Sequence, residues 1–233
     1  MMQNSKPAIS IVIPVFNEEF TIGDVLKRVK ITLEKMSLPY EILVVDDCST
    51  DNSLRVSLKS EVKVLPLREH RGKGYALRTG FENAKGDIIV TIDSDGSHNP
   101  EELPKLITPI LKDEADIVIG SRFLDKENIF QNKLNKAGVQ FLNLIIKVLT
   151  GRSISDSQSG YRALKSTLVK GIRFRSNGYE IESELLVKAL KRSYRAKEVP
   201  IKFRQRTYGK SKLDPLRDGL KIFSTILFSF IGD

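Results

Sequence analysis

The segment "DIIVTIDSDG" (residues 87–96) sets an apolar, β-branched run directly before two carboxylates spaced two positions apart. Four further runs share its build: "AISIVIP" (8–14), "EILVVDD" (41–47), "VKVLPL" (62–67) and "ADIVIGS" (115–121). Runs that stay apolar rather than alternate suit strands covered on both faces. Between them, residues 20–36, 51–58, 73–84 and 101–112 carry helical spacing. The alternation predicts an α/β fold, a three-layer α/β/α sandwich on a mostly parallel sheet. Ligands bind such sheets beyond the carboxyl ends of the strands. The expected site therefore gathers Pro14 to Glu18, Asp46 and Asp47, Asp93 to Asp95, and Ser121 with Arg122.

The second half is less regular. A helical stretch near 133–149 precedes the polar loop "TGRSISDSQSG" (150–160). A short "YRALK" strand, a helix over 179–192, a strand "KEVPIKF" (197–203) and a helix from about 214 to 231 follow. No repeat or long linker interrupts the chain. One catalytic domain over 1–212 with an amphipathic C-terminal helix over 213–233 is the expected organisation.

Composition bounds the function. The 233 residues suffice for a large core, and 40% hydrophobic with 29% charged residues is globular usage. The single cysteine, Cys48, excludes an intramolecular disulfide, and no signal-peptide pattern opens the sequence. No stretch offers some twenty uninterrupted apolar residues. A cytoplasmic protein is expected, peripheral on the membrane face if the C-terminal helix is interfacial. The net charge of +9 favours an anionic partner. Seven cations lie between Lys202 and Lys221 against only Asp214 and Asp218, whereas carboxylates gather at 46–51 and 93–95. A basic loop facing acidic strand ends suits a metal–phosphate complex, and nucleic acid is not the expected partner.

In extended backbone, residues i and i+2 point to one side, so Asp93 and Asp95 are expected to face one point. Two hard oxygen donors there suit Mg²⁺ or Mn²⁺, completed by phosphate oxygens and water. Of the adjacent Asp46 and Asp47, one is expected to meet a nucleobase or ribose, and Asp51 to cap the following helix. "HRGKGYALRTG" (70–80) is not a P-loop; its glycines ease a loop into a helix, and Arg71 or Lys73 is a candidate phosphate contact. His70 and His98 lack metal-ligand spacing and are taken as loop residues. Asp156, or one of Glu180, Glu182 and Glu184, is a candidate base or steering group. In "RQRTYGKSKL" (204–213), Arg206 and Lys212 can neutralise phosphates. Behind that loop, Leu213, Leu216, Leu220, Phe223, Leu227 and Phe230 form a helical stripe. It suits core, a partner contact or, with Arg217 and Lys221 beside it, a membrane surface.

Taken together, "IVIPVFNEE", "VVDDCSTD", "RGKGYALRTG", "DSDG", "IGSR", "DSQSGYR" and "GKSKL" resemble glycosyltransferase family 2 over residues 8–213. Within it the chain is similar to the dolichol-phosphate mannose synthase group of polyprenyl-phosphate sugar transferases. The resemblance implies a GT-A (Rossmann-like) fold, a divalent metal on Asp93 and Asp95, and inversion at the anomeric carbon. It implies that Pro14, Phe16, Glu18, Val45 and Asp47 hold the donor nucleoside, with Asp93 and Ser94 completing the donor site. Arg122, Arg206 and Lys212 would address phosphates of donor or acceptor, with Asp95, Arg122 and Asp156 at the reacting centre. The implied partners are a nucleoside diphosphate sugar and a polyprenyl phosphate, with a second subunit or membrane protein as other candidates for the C-terminal helix. GDP-mannose is the first donor expected. "DSQSGYR", where mannose synthases resemble "DPMSGF", brings in UDP-glucose and UDP-N-acetylglucosamine, and Ser97 is a second departure, standing where mannose synthases often carry glutamine.

Overall fold

A computed structural model describes residues 6–128, 133–206, 208–209 and 212–232, with side chains from 136 onward in the helix that begins at Lys133. Among the described residues, seven strands form one sheet: β1 (Ile9–Val15), β2 (Tyr40–Asp46), β3 (Lys63–Pro66), β4 (Ile88–Thr91), β5 (Ile117–Ser121), β6 (Arg162–Lys165) and β7 (Ala196–Pro200). Their spatial order is β3-β2-β1-β4-β6-β5-β7. β1 lies in the middle with every residue buried, as its unbroken apolar run requires. It pairs in parallel with β2, Ile9 opposite Tyr40 and Val15 opposite Asp46, and with β4 from Ile9–Ile88 to Val12–Thr91. The shared direction brings the ends of β1, β2 and β4 to one rim.

Helices cover both faces. On one side, α1 (Ile22–Met36) and α4 (Leu103–Leu111) pack Val25, Leu26, Val29, Leu103 and Ile107 onto Ile11, Ile13, Val44 and Val90. The short α2 (Ser53–Leu58) adds Val56 to that layer. On the other, α3 (Lys73–Asn83), α5 (Lys133–Thr150), α6 (Ser166–Gly171), α7 (Ile181–Lys191) and α8 (Arg217–Ile231) cover Val12, Leu43, Ile89, Ile119 and Leu164. The three-layer expectation holds.

Two local features go beyond the sequence pattern. β6 runs antiparallel to both β4 and β5. After α5, the loop to β6 returns to the carboxyl end of β5, where Asp156 pairs with Arg122 and Ser155 with Ser121. A strand starting at that rim has only the reverse direction open to it. The C-terminal stripe is also rotated. α8 buries Ile222, Ile226 and Ser229, packing on α7 and α5, whereas Leu216 and Leu220 are exposed. An all-round apolar sequence leaves periodicity without a unique face, and packing chooses it.

Candidate active site

The strand ends converge on one cleft of about 940 Å³. Pro14, Phe16, Glu18, Asp47, Asp93, Ser94, Asp95, Arg122, Arg206 and Lys212 all line it. Val45 and Asp156 do not: Val45 is buried within β2, and Asp156 lies fully buried behind Arg122.

The acidic wall follows β4. The strand stops at Thr91 and the chain turns at Ser94, so Asp93 and Asp95 sit on a turn rather than on extended backbone. Ser94 Oγ donates to Pro14 O at 2.9 Å and Thr21 Oγ1 donates to Ser94 O at 2.8 Å, tying this turn to the end of β1. Gly96 completes it at φ +74°, a conformation in which a side chain would be strained. Asp95 Oδ1 accepts the Ser97 N–H at 3.0 Å. Asp93 turns inward, its Oδ1 2.6 Å from Lys73 Nζ, which also lies 2.8 Å from Glu182 Oε1. Burial alone would raise the Asp93 carboxyl. The charges of Lys73, His98 and Arg122 overcome it and hold the group at about 2. Burial likewise lowers the Lys73 ammonium, but Asp93 and Glu182 more than reverse this and keep it charged. Lys73, a candidate phosphate contact by sequence, is thus committed to two acids.

Both histidines belong to the site, which their loop positions conceal. His98 is 2% exposed between Tyr161 and Phe203, with Nδ1 3.7 Å from Asp93 Oδ2, too far for a hydrogen bond. Burial lowers its pKa. Its backbone bridges Phe203 and Ser97 O accepts the Arg204 N–H, fastening the late basic segment beside the aspartates. No sequence pattern signals a pairing across a hundred residues. His70 stacks on Phe16 at 3.9 Å and reaches Asp47 Oδ2 at 2.8 Å. Asp47 also accepts the Arg71 and Gly72 N–H groups at 2.8 and 2.7 Å, so it anchors the 70–72 loop while lining the nucleoside end. Asp51 bonds the Ser53 and Glu19 N–H groups, at the start of α2 as expected.

The cationic walls differ in how they are anchored. Arg122, at the end of β5, forms a fork with Asp156 at 2.7 and 2.8 Å, and its own N–H donates to the same carboxylate at 3.0 Å. Glu198 in turn accepts the Ser155 and Asp156 N–H groups. Arg162, which sequence reasoning passed over, is fully buried and donates to the carbonyls of Ser157, Ser159 and Glu182. Burial pulls its guanidinium down to about 10. It knits "DSQSGYR" to the start of α7. On the outer side, Arg206 reaches Glu18 and Asp95 Oδ2, and Lys212 reaches the Phe16 carbonyl and Glu18. Thr207, Lys210 and Ser211 of this loop lie outside the described residues.

The candidate bases are all engaged to some degree. Glu184 holds the Arg175 and Ser176 N–H groups and Lys188; Glu182 faces Lys73. Glu180 lines the cleft and holds the Asn177 and Gly178 N–H groups through Oε1, leaving Oε2 buried without a hydrogen-bond partner among the described residues. Among the described residues, no three His, Cys, Asp or Glu side chains form a cage for a metal. Two carboxylates beside an open cleft instead fit a Mg²⁺-type ion that takes its remaining ligands from phosphate and water. Among the described residues, no helix is long and apolar enough to cross a membrane.

Residues 10–173 match the family model of glycosyl transferase family 2, well over half of the chain. The chain belongs to glycosyl transferase family 2. Its cleft, with acids at parallel strand ends, is that of the GT-A fold. The chain is 35% identical over 213 residues to a dolichol-phosphate mannosyltransferase of Pyrococcus furiosus, covering 88% of this chain and 59% of that protein. It thus spans about three-fifths of that longer relative. It is 32% identical to a UDP-N-acetylglucosamine–dolichyl-phosphate N-acetylglucosaminyltransferase of Methanococcus voltae, over 96% of both chains. Among solved structures it superposes on glucosyl-3-phosphoglycerate synthase of Mycobacterium tuberculosis in complex with Mn²⁺, uridine diphosphate and phosphoglyceric acid. The TM-score is 0.77 at 25% identity, over 97% of this chain and 79% of that one.

Proposed function

We propose that this family 2 glycosyltransferase moves a hexose from a nucleoside diphosphate sugar to a polyprenyl phosphate, with inversion at the anomeric carbon. The observation that carries the reading is the contrast between tied carboxylates and cations lining the cleft. Asp156 and Glu182 are held by cations, whereas Arg122, Arg206 and Lys212 all face the cleft. A phosphate monoester, with its second pKa near about 6, is already nucleophilic at neutral pH and needs positioning rather than deprotonation. Its oxygen forms the new bond to the anomeric carbon as the bond to the diphosphate breaks, and the nucleoside diphosphate leaves. Pro14, Phe16, Glu18 and Asp47, joined by His70, surround the nucleoside. Asp95 and Asp93, which both line the cleft, would hold Mg²⁺ or Mn²⁺, which would supply Lewis-acid neutralisation of the leaving diphosphate.

The apolar outer faces of α5 and α8 support a peripheral membrane position. Phe141, Leu144, Val148, Leu220, Phe228 and Ile231 are exposed there, and Phe141 meets Phe223 across the two helices at 6.1 Å. Arg217 and Lys221 of α8 also line the cleft, so this face adjoins the mouth through which a lipid phosphate would enter.

One observation favours a second reading. The partnerless Oε2 of Glu180 would serve as a base if the acceptor were a sugar or protein hydroxyl. Radiolabelled GDP-mannose, UDP-glucose and UDP-N-acetylglucosamine, each offered with polyprenyl phosphate and Mn²⁺, test the proposal. Label is expected in the organic phase with one donor, with chelation abolishing it and Glu180→Gln sparing it. Label confined to water-soluble product and lost in Glu180→Gln would install the hydroxyl reading instead.

A further inference from the structure

Asp93 lacks an anchor that other cleft acids possess. Asp47 is fixed by two backbone N–H groups and Asp95 by one, whereas among the described residues none reaches the Asp93 carboxylate. A carboxylate at a strand end rotates freely unless something holds it. The group that meets it is Lys73, the first residue of α3, at 2.6 Å, with Glu182 on the ammonium's other side at 2.8 Å. The Lys73 side chain is 17% exposed and that of Glu182 is 6% exposed.

The surroundings are shaped for this bridge. A Cβ on Gly160 would lie 2.8 Å from Lys73 Nζ, 2.8 Å from Asp93 Oδ2 and 3.0 Å from its Oδ1. Gly160 is itself fixed, because its carbonyl accepts the Thr91 hydroxyl at 2.7 Å. A Cβ on Gly74 would lie 2.7 Å from the Asn177 carbonyl carbon, so the glycine lets α3 begin close against the 176–178 loop. Glycines at 74 and 160 thus clear the space in which three separate parts of the chain meet around one ammonium.

We propose that Lys73 is a positioning residue for sugar transfer. By bridging Glu182 and Asp93, it fixes the rotation of the Asp93 carboxylate, with Oδ1 on the ammonium and Oδ2 beside Gly160 and His98, both of which line the cleft. The inference rests on the glycosyl-transfer reading of the same cleft. It assigns Lys73 neither a substrate contact nor a proton transfer. Gly160 keeps the bridge intact by the absence of a side chain.

Steady-state kcat and donor KM, with melting temperature, separate this role from simple charge balance. Lys73→Met leaves the buried Glu182 and the half-buried Asp93 facing each other, so Tm should fall by roughly 10 °C and kcat by about 10²-fold, the scale of a small misplacement. Lys73→Met/Glu182→Gln removes the pair's charges together. It should recover most of the Tm while kcat stays about 10²-fold low and donor KM moves less than about threefold. Gly160→Ala keeps every charge and should lower kcat in the same way with little change in Tm. Wild-type kcat in the double variant would overturn the proposal, reducing Lys73 to a counter-charge for Glu182. A wild type that transfers from no donor would overturn the transfer reading and this proposal together.

Discussion

The two cationic walls of the cleft hold the same kinds of charge in different ways. On the inner wall, Arg122 and Lys73 sit on the sheet rim and the first residue of α3, paired with the buried Asp156 and Glu182 and with the half-buried Asp93. On the outer wall, Arg206 and Lys212 ride a loop and pair with Glu18 and Asp95, acids of the opposite wall. The inner pairs are structure: nothing need break for a ligand to meet the exposed edge of Arg122. The outer pairs are exchangeable, because a metal would compete with Arg206 for Asp95 Oδ2 and a diphosphate would compete with Glu18 and Asp95 for Arg206 and Lys212. Preorganised charge on one side and exchangeable charge on the other is what a site needs if it must bind an anion and later release one.

The comparison breaks most completely at the residue both walls address. Asp95→Asn removes the acid that Arg206 holds and that a metal would take, and a Lewis-acid contribution of several kcal/mol converts to a loss of roughly 10³-fold in transfer. Mn²⁺ titration should show weakened binding in parallel. Retained metal-dependent transfer would remove Asp95 from the metal role.

The inner wall is tested next by stability rather than rate. Arg122→Ala strands Asp156, which is fully buried, and breaking such a pair costs about 3–5 kcal/mol. Urea unfolding should show this loss, and Arg122→Met/Asp156→Asn should recover much of it. An Arg122→Ala protein as stable as wild type would mean that the inner wall is no more fixed than the loop.

The same change on the outer wall should be mild. Arg206→Ala is expected to cost about 1 kcal/mol or less, since the buried Glu18 keeps Lys212 at 3.2 Å and Asp95 is partly exposed. Transfer should nevertheless fall about tenfold, with a smaller dependence on salt than wild type. An Arg206 variant with the stability loss of Arg122→Ala would erase the distinction between the walls.

What the sequence discloses follows the same division. The parallel core and its rim were legible, because buried strands write continuous apolar runs and ligand groups must follow them. "IVIP", "LVVDD" and "IIVTIDSDG" carry that signal without any tertiary information. Illegible were the contacts closed between distant segments: His98 with Phe203, Lys73 with Glu182, and Arg162 with the 157–159 carbonyls. Residue types at these positions are consistent with loops or solvated helix faces, and only the fold shows that they meet. The buried face of α8 is open in the sequence for a related reason, since a helix apolar nearly all round leaves the choice to its neighbours.

The smallest expected effect gives the sharpest reading of how tightly the outer wall is closed. Glu18 is 7% exposed, and its pKa is raised from 4.5 because burial outweighs the pull of Arg206 and Lys212. A carboxyl whose folded pKa exceeds its unfolded value binds protons more readily when folded. Its contribution to stability is therefore present in full below the unfolded pKa and is lost as pH rises through the folded one. The difference in stability between wild type and Glu18→Gln should accordingly shift against wild type as pH rises above the ordinary carboxyl range, by a few degrees of Tm at most. Buffers carrying 0.5 M salt should enlarge the shift, because screening weakens the Arg206 and Lys212 attraction more than it relieves burial. A difference that instead moves in favour of wild type with rising pH would mean that the two cations outweigh burial. The basic loop would then be locked onto Glu18 as firmly as Arg122 is onto Asp156, and an incoming diphosphate would have to break a pair of inner-wall strength to enter.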